Sequence, residues 1–220
     1  MRRKIKPKIL TAKSYAEGLE YLAGRDRDLA RIHAELGTPP EWFRDPGFPT
    51  LIYIILEQQV SLASARATFT RLLSLAAPLT PQSFLALDDA QIRAIGFSRQ
   101  KTAYGRNLAR SITDGRLKLE MFGEMDDAEV KAEMLGVKGI GSWTADIYLL
   151  MALRRPDIWP GGDLGVVVAV QEIKRLPARP SAVELAAFSE PWRPWRAVAT
   201  RLLWHYYLNR RRKTAGISHS

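Results

Sequence analysis

The sequence predicts an all-α fold. Apolar residues recur at helical spacing along most of the chain, capping signals open one segment after another, and no stretch alternates as a half-buried strand does. Ser14 to Leu36 reads as a helix opened by Ser14 and Glu17, with Leu19, Leu22, Leu29 and Ile32 on its apolar face and Gly24 as an interior break. After the connector TPPEWFRDPGFP, Leu51 to Leu75 reads as one long helix, apolar enough at its start to be central and buried. Pro78 and Pro81 end that region. Gln82 to Ile95 and Arg99 to Ile112 are two further helices around Gly96-Phe97. Asp126 to Leu135 opens with Asp126 and Glu129 at capping-box spacing. A glycine-rich turn, Gly136 to Gly141, leads into a helix from Ser142 to Leu153. The loop RRPDIWPGGD precedes a helix from Leu164 to Leu176, and the last helices are Ser181 to Phe188 and Trp195 to Asn209.

Composition narrows the chemistry. Of 220 residues, 46% are hydrophobic, enough for a real core. There is no cysteine, which excludes disulfides, thiol nucleophiles and cysteine-held metal clusters. The histidines, His33, His205 and His219, are scattered, and no transition-metal site is read. MRRKIKPKIL is basic with no apolar run behind it, so it is not read as a signal peptide, and no stretch is long and apolar enough to span a bilayer. A soluble, reducing compartment is expected, cytoplasmic or nuclear according to the cell. The formal net charge of +10 points to a polyanionic partner, nucleic acid first. Part of the excess lies in Arg2-Arg3-Lys4 and Arg210-Arg211-Arg212-Lys213, which are also readable as solvated tails.

The most specific segment is Val137-Lys138-Gly139-Ile140-Gly141-Ser142-Trp143-Thr144-Ala145. Glycines without a Cβ let the backbone approach another chain. The helix starting near Ser142 offers N–H groups and a dipole suited to phosphate. An ordinary helix corner with glycine caps is the plain alternative. Asp163, just before the apolar run Leu164-Gly165-Val166-Val167-Val168, is likewise a good N-cap on its own terms.

Gly-hydrophobic-Gly, two residues, then Thr-Ala, with an aspartate about twenty residues on after a proline-containing loop, resembles the helix-hairpin-helix DNA glycosylase superfamily. Leu56-Glu57-Gln58-Gln59-Val60-Ser61 resembles its Gln-x-Val-Ser helix, and Ile95-Gly96-Phe97 with Lys101 its next turn. Trp192-Arg193-Pro194-Trp195-Arg196 and Trp204 are similar to the C-terminal helix of the bacterial 3-methyladenine DNA glycosylase II type.

The resemblance implies a two-lobed helix-hairpin-helix fold. Residues 47–157 would form one lobe, and residues 1–46 with 158–220 the other, with a DNA groove between. It implies a monomeric, monofunctional glycosylase that flips alkylated purines of the 3-methyladenine and 7-methylguanine class out of double-stranded DNA, hydrolyses the glycosidic bond and leaves an abasic site. Asp163 would be the catalytic carboxylate. Trp143 stands where strand-cutting members carry a lysine nucleophile. Trp143, Trp204, Tyr53, Leu164 and Ile147 would line the base pocket, where indole faces attract a cationic ring. Trp192 and Trp195 read as core, while Trp159, Trp42 and Tyr53 are also readable that way. Gln58, Gln59, Ser61, Lys138, Gly139, Ile140, Gly141, Ser142 and Thr144 would meet DNA, with Gln59 in the place of the usual apolar wedge. Ile147 and Leu164 depart from an aromatic and a tyrosine in the best-known member. No cofactor is implied beyond a structural Na or K ion on the carbonyls of Leu135, Val137 and Ile140. A non-catalytic DNA-binding repair module, or a glycosylase of other lesion specificity, is the alternative.

Overall fold

A computed structural model describes residues 8–217; the Arg2-Arg3-Lys4 cluster and His219 lie outside them. The described residues contain helices and no strand, and no helix among them is long and apolar enough to cross a membrane. The chain divides into two compact units.

The first unit covers described residues 44–153. Its helices are α3 (Phe48–Glu57), α4 (Leu62–Leu75), α5 (Pro81–Ala86), α6 (Asp89–Ala94), α7 (Arg99–Thr113), α8 (Asp127–Leu135) and α9 (Ser142–Met151). α3 buries eight of its ten residues, from Phe48 to Glu57, and so forms the centre of this unit. The Glu57 carboxylate within that core is answered by a two-pronged bond from Arg44, at 2.9 and 2.6 Å. A bidentate guanidinium offsets the cost of taking the charge out of water. Gly105 on α7 lets the helix close on the core, since a Cβ there would sit 2.7 Å from the Phe84 ring.

The second unit is made from both flanks, residues 8–43 and 154–217. It contains α1 (Ala12–Ala23), α2 (Arg27–Leu36), α10 (Leu164–Ile173), α11 (Ala182–Ser189) and α12 (Arg196–Ile217). The flanks are joined by a backbone bond from Leu10 N–H to the Arg154 carbonyl, 2.8 Å. A buried polar cluster joins them again. The Lys174 ammonium bonds both Asp26 oxygens (3.1 and 2.9 Å) and Asp28 (2.8 Å), and the fully buried Trp192 indole N–H donates to Asp26 at 2.9 Å. Burial alone would raise the Asp26 pKa, but the bonds from Lys174, Trp192 and the Leu29 N–H outweigh it and hold it below the usual value.

Two expected helices are pairs, and the break expected at Gly24 is present, with Gly24 the C-cap of α1. Ser14 to Leu36 is α1 and α2: the capping box is Thr11 with Ser14, and the Asp26 side chain accepts the Asp28 and Leu29 N–H groups to start α2. Leu51 to Leu75 is α3 and α4, interrupted where Gln59 adopts φ +57° and the Ser61 hydroxyl caps α4. Gln82 to Ile95 is α5 and α6, because Leu87 is extended and Asp88 forms a capping box with Gln91. In each case a short polar side chain satisfies a new set of N-terminal N–H groups, which makes a second helix start cheap. The last helix also runs to Ile217, past the expected Asn209.

Candidate functional site

In the first unit, α8 ends at Gly136 and a tight turn leads to α9. Val137 and Ile140 are buried and pin the turn to the core. Gly139 has φ +105°, and a Cβ there would lie 2.6 Å from the Tyr104 Cβ and closer still to its ring. Glycine is therefore obligatory at 139 on two independent grounds. Gly141 caps α9 in extended geometry, has nothing within 4 Å of its Cβ position, and brings no side-chain cap to the helix. The turn thus presents open backbone and a helix N-terminus, with exposed Lys138 and Ser142 beside it. Ser142 also donates to Asp146 at 3.3 Å, and Lys131 pairs with the same buried carboxylate at 2.6 Å.

Two residues expected to meet DNA are spent inside this turn. Gln58 Nε2 donates to the Gly139 carbonyl (3.2 Å) and to Thr144 Oγ1 (3.0 Å), and Thr144 is only 1% exposed. Their side chains lock the hairpin to the end of α3. Lys101 reinforces that junction, its ammonium donating to the Leu56 carbonyl at 2.7 Å while burial lowers its pKa. Beyond the junction Gln59, Val60, Ser61 and Leu62 are exposed.

The expected pocket residues of this unit differ in what they can offer. Trp143 is half-buried at the second position of α9. Ile147 is buried at 2% exposure and serves as core. The Tyr53 ring stacks on Phe69 at 4.6 Å and 12°, and the Arg44 guanidinium lies 4.4 Å from its centre. Both its neighbours are already π partners, so Tyr53 is a poor surface for an added base. Its phenol pKa is pushed up by burial and by the nearby Glu57.

In the second unit Asp163 is the N-cap of α10, and its Oδ1 accepts from the Val166 N–H at 3.1 Å and the Trp204 indole N–H at 2.9 Å. The approach is a turn in which the Asp163 N–H donates to the Pro160 carbonyl at 2.9 Å. Trp159 packs edge-on against Trp192 at 5.4 Å, and a Cβ on Gly161 would come within 3.0 Å of its Nε1. Trp204 is braced edge-to-face by Trp42 at 6.1 Å. Leu164, first residue of α10, is 55% exposed. Gly165 is the seat of the arrangement: a Cβ there would meet Asp163 Oδ1 at 3.2 Å, Tyr207 Cδ1 at 3.2 Å and Trp204 Cδ1 at 3.3 Å.

Sequence reasoning missed Tyr104, Gly165 and Tyr207. Gly165 alone carried a signal, a glycine in the first turn of an otherwise β-branched helix. Among the described residues no group of His, Asp or Glu is arranged to hold a metal ion. Backbone oxygens are the remaining donors in the hairpin. The Val137 carbonyl accepts the Ile140 N–H at 3.0 Å, which uses one of its two lone pairs.

The parts define an all-helical protein with an open glycine turn between two helices in one unit and a tryptophan-bonded carboxylate at a helix N-terminus in the other. A family model described as HhH-GPD superfamily base excision DNA repair protein matches residues 52–194, and the chain belongs to that superfamily. It is 27% identical to DNA-3-methyladenine glycosylase 1 of Schizosaccharomyces pombe over 206 residues, 90% of each chain. It is 33% identical to the DNA-3-methyladenine glycosylase of Saccharomyces cerevisiae over 129 residues, 54% of this chain and 44% of that one. The chain spans less than half the length of several such relatives, including 43% of one from Bacillus subtilis. Among solved structures it is similar to the S. pombe 3-methyladenine DNA glycosylase Mag1 in complex with abasic DNA, with TM-score 0.81 and 27% identity, covering 86% of this chain and 95% of that one.

Proposed function

We propose that this DNA glycosylase excises alkylated purines of the 3-methyladenine and 7-methylguanine class by hydrolysis, with Asp163 as its catalytic carboxylate, acting as a single chain on double-stranded DNA. The observation that carries the reading is the fixed Asp163 carboxylate, bonded through one oxygen to Trp204 and to its own helix N-terminus. Both bonds fix the direction of the carboxylate at the N-terminus of α10. As the glycosidic bond breaks, positive charge develops on the sugar, and a preorganised anion beside it lowers the barrier. The same carboxylate can orient or deprotonate the attacking water. An alkylated purine is already cationic and leaves readily, so the chain needs to supply little acid to the base. Trp204, in the same unit as Asp163, offers an indole face to that cation. Trp143 stands just before Thr144-Ala145, where the strand-cutting branch has its lysine, so no Schiff base forms and water is the nucleophile.

The backbone at Gly139-Ile140-Gly141, with Lys138 and Ser142, grips phosphate, and Gln59 enters the gap left by the flipped nucleotide. The Leu135, Val137 and Ile140 carbonyls are hard oxygen donors of the type a monovalent Na or K ion takes, and such an ion would add positive charge beside the phosphate. The test is mass spectrometry of free bases released from methylated DNA. Release of 3-methyladenine and 7-methylguanine, with strand breaks only after alkali and loss of release in Asp163→Asn, is expected. Full release by Asp163→Asn overturns the mechanism; tight binding without release from any lesion favours a non-catalytic module.

A further inference from the structure

The proposed chemistry uses α12 only at Trp204, yet the helix continues for a further thirteen residues to Ile217. Trp204, Tyr207 and Arg211 are spaced i, i+3, i+7, which places them on one face. Trp204 bonds the Asp163 carboxylate and Tyr207 lies against Gly165 in the first turn of α10, so this face starts at the reacting centre. Arg211 extends it outward by about 10 Å along the helix axis.

The state of Arg211 differs from that of its neighbour. Arg210 is paired, its Nε 3.2 Å from Glu172 Oε2. The Arg211 guanidinium donates to the neutral Tyr207 hydroxyl at 2.9 Å and lies 5.6 Å from the Tyr207 ring centre. No carboxylate pairs with it among the described residues, and its side chain is exposed. The tyrosine thus holds the guanidinium in one place without neutralising it. A planar, oriented, uncompensated fork is what phosphate recognition uses.

We infer that Arg211, braced by Tyr207, binds a backbone phosphate of the damaged strand within a few nucleotides of the extruded base. This rests on the glycosylase reading of Asp163. It adds a second anion contact from the catalytic unit itself, independent of the hairpin.

The experiment measures affinity for a duplex with a central uncleavable abasic analogue between about 50 and 200 mM salt, together with single-turnover base release at saturating enzyme. Arg211→Ala is expected to weaken binding several-fold and to lower the slope of log K against log salt by about 0.9, the release of one counterion site, while the saturated excision rate stays within about twofold. Arg211→Lys keeps the slope and loses part of the affinity. Tyr207→Phe keeps the slope too, because only the brace is gone. Arg212→Ala, one residue on and turned about 100° around the helix, leaves both unchanged. An unaltered slope in Arg211→Ala, or an equal fall in Arg212→Ala, overturns the contact in favour of diffuse tail charge. The two readings fail separately: a wild-type chain that releases no base but shows the slope change sinks the glycosylase reading and leaves the phosphate contact standing.

Discussion

The Trp204 indole N–H donates to the same oxygen of Asp163, at 2.9 Å, that the Val166 backbone N–H caps. A residue forty-one positions away therefore fixes the rotation of the carboxylate that its own helix only anchors. Trp204→Phe retains an aromatic face and deletes the donor. A hydrogen bond to a charged group is worth about 1.5–3 kcal/mol, so single-turnover release of 7-methylguanine should slow by roughly tenfold or more. Affinity for abasic duplex should barely change. A Phe variant as fast as wild type would mean the bond does not shape the reaction.

Gly165→Ala should slow excision with little effect on DNA binding. The added methyl meets Asp163, Tyr207 and Trp204 at 3.2–3.3 Å simultaneously. Each must yield by a few tenths of an ångström, and a displaced carboxylate loses much of its preorganisation. Gly162→Ala is the matching control, because its Cβ position has nothing within 4 Å; its rate should stay near that of wild type.

Gly139→Ala should destabilise the fold and weaken DNA binding. The positive φ costs about 1–3 kcal/mol for a residue with a Cβ, and the clash with Tyr104 adds to it. Adding Tyr104→Ala should recover part of the loss in a thermal melt, and the backbone strain should keep the recovery incomplete. Full recovery would assign the whole effect to the ring.

Gln58→Glu keeps size and replaces the donating amide with an acceptor facing the Gly139 carbonyl and the Thr144 hydroxyl. A lost donor beside buried acceptors costs about 1–3 kcal/mol. Faster amide hydrogen exchange across residues 137–145 is expected, with weaker duplex binding; unchanged exchange would refute the locking role.

Asp26 gives the second unit a pH signature. Its folded pKa lies below the ordinary 3.8, so the stability it contributes is whole above that value and is lost as pH falls from about 4 through the lower folded pKa. Lys174 is the mirror case. Burial alone would lower its pKa, but its bonds to Asp28 and Asp26 raise it above 10.5, so its contribution is whole below that value and is lost as pH rises through the folded pKa. Asp26→Asn should flatten the acid limb of stability below about pH 4, measured by denaturant melts. An acid limb parallel to wild type would remove Asp26 as its source.

Local physics made much of this readable from residue order. Asp126 with Glu129 caps α8, and Ser181 opens α11, because a capping box needs no partner beyond three residues. Asp163 was visible as a cap for the same reason. The break after α3 was not visible: apolar periodicity runs through Gln58–Ser61, and it is Gln59's left-handed backbone and the Gln58 bond to Gly139, eighty-one residues away, that end the helix. The pairing of Trp204 with Asp163, and of Tyr104 with Gly139, depends on tertiary packing that no spacing encodes. Likewise, nothing around Tyr53 in the sequence announces Arg44 or Phe69 as its ring partners.

The second unit is stitched from the two flanks, and this sets a timetable for synthesis. Residues 44–153 leave the ribosome as an uninterrupted block, while α1 and α2 must wait for α10 and α12 to emerge. At about 5–20 residues per second the wait, from the end of α2 to the end of α12, is roughly ten to thirty-five seconds. During it the Asp26 carboxylate has no Lys174 and the apolar faces of α1 and α2 lack the partner they meet in α12. A chain terminated before residue 154 would carry the hairpin and lack the carboxylate.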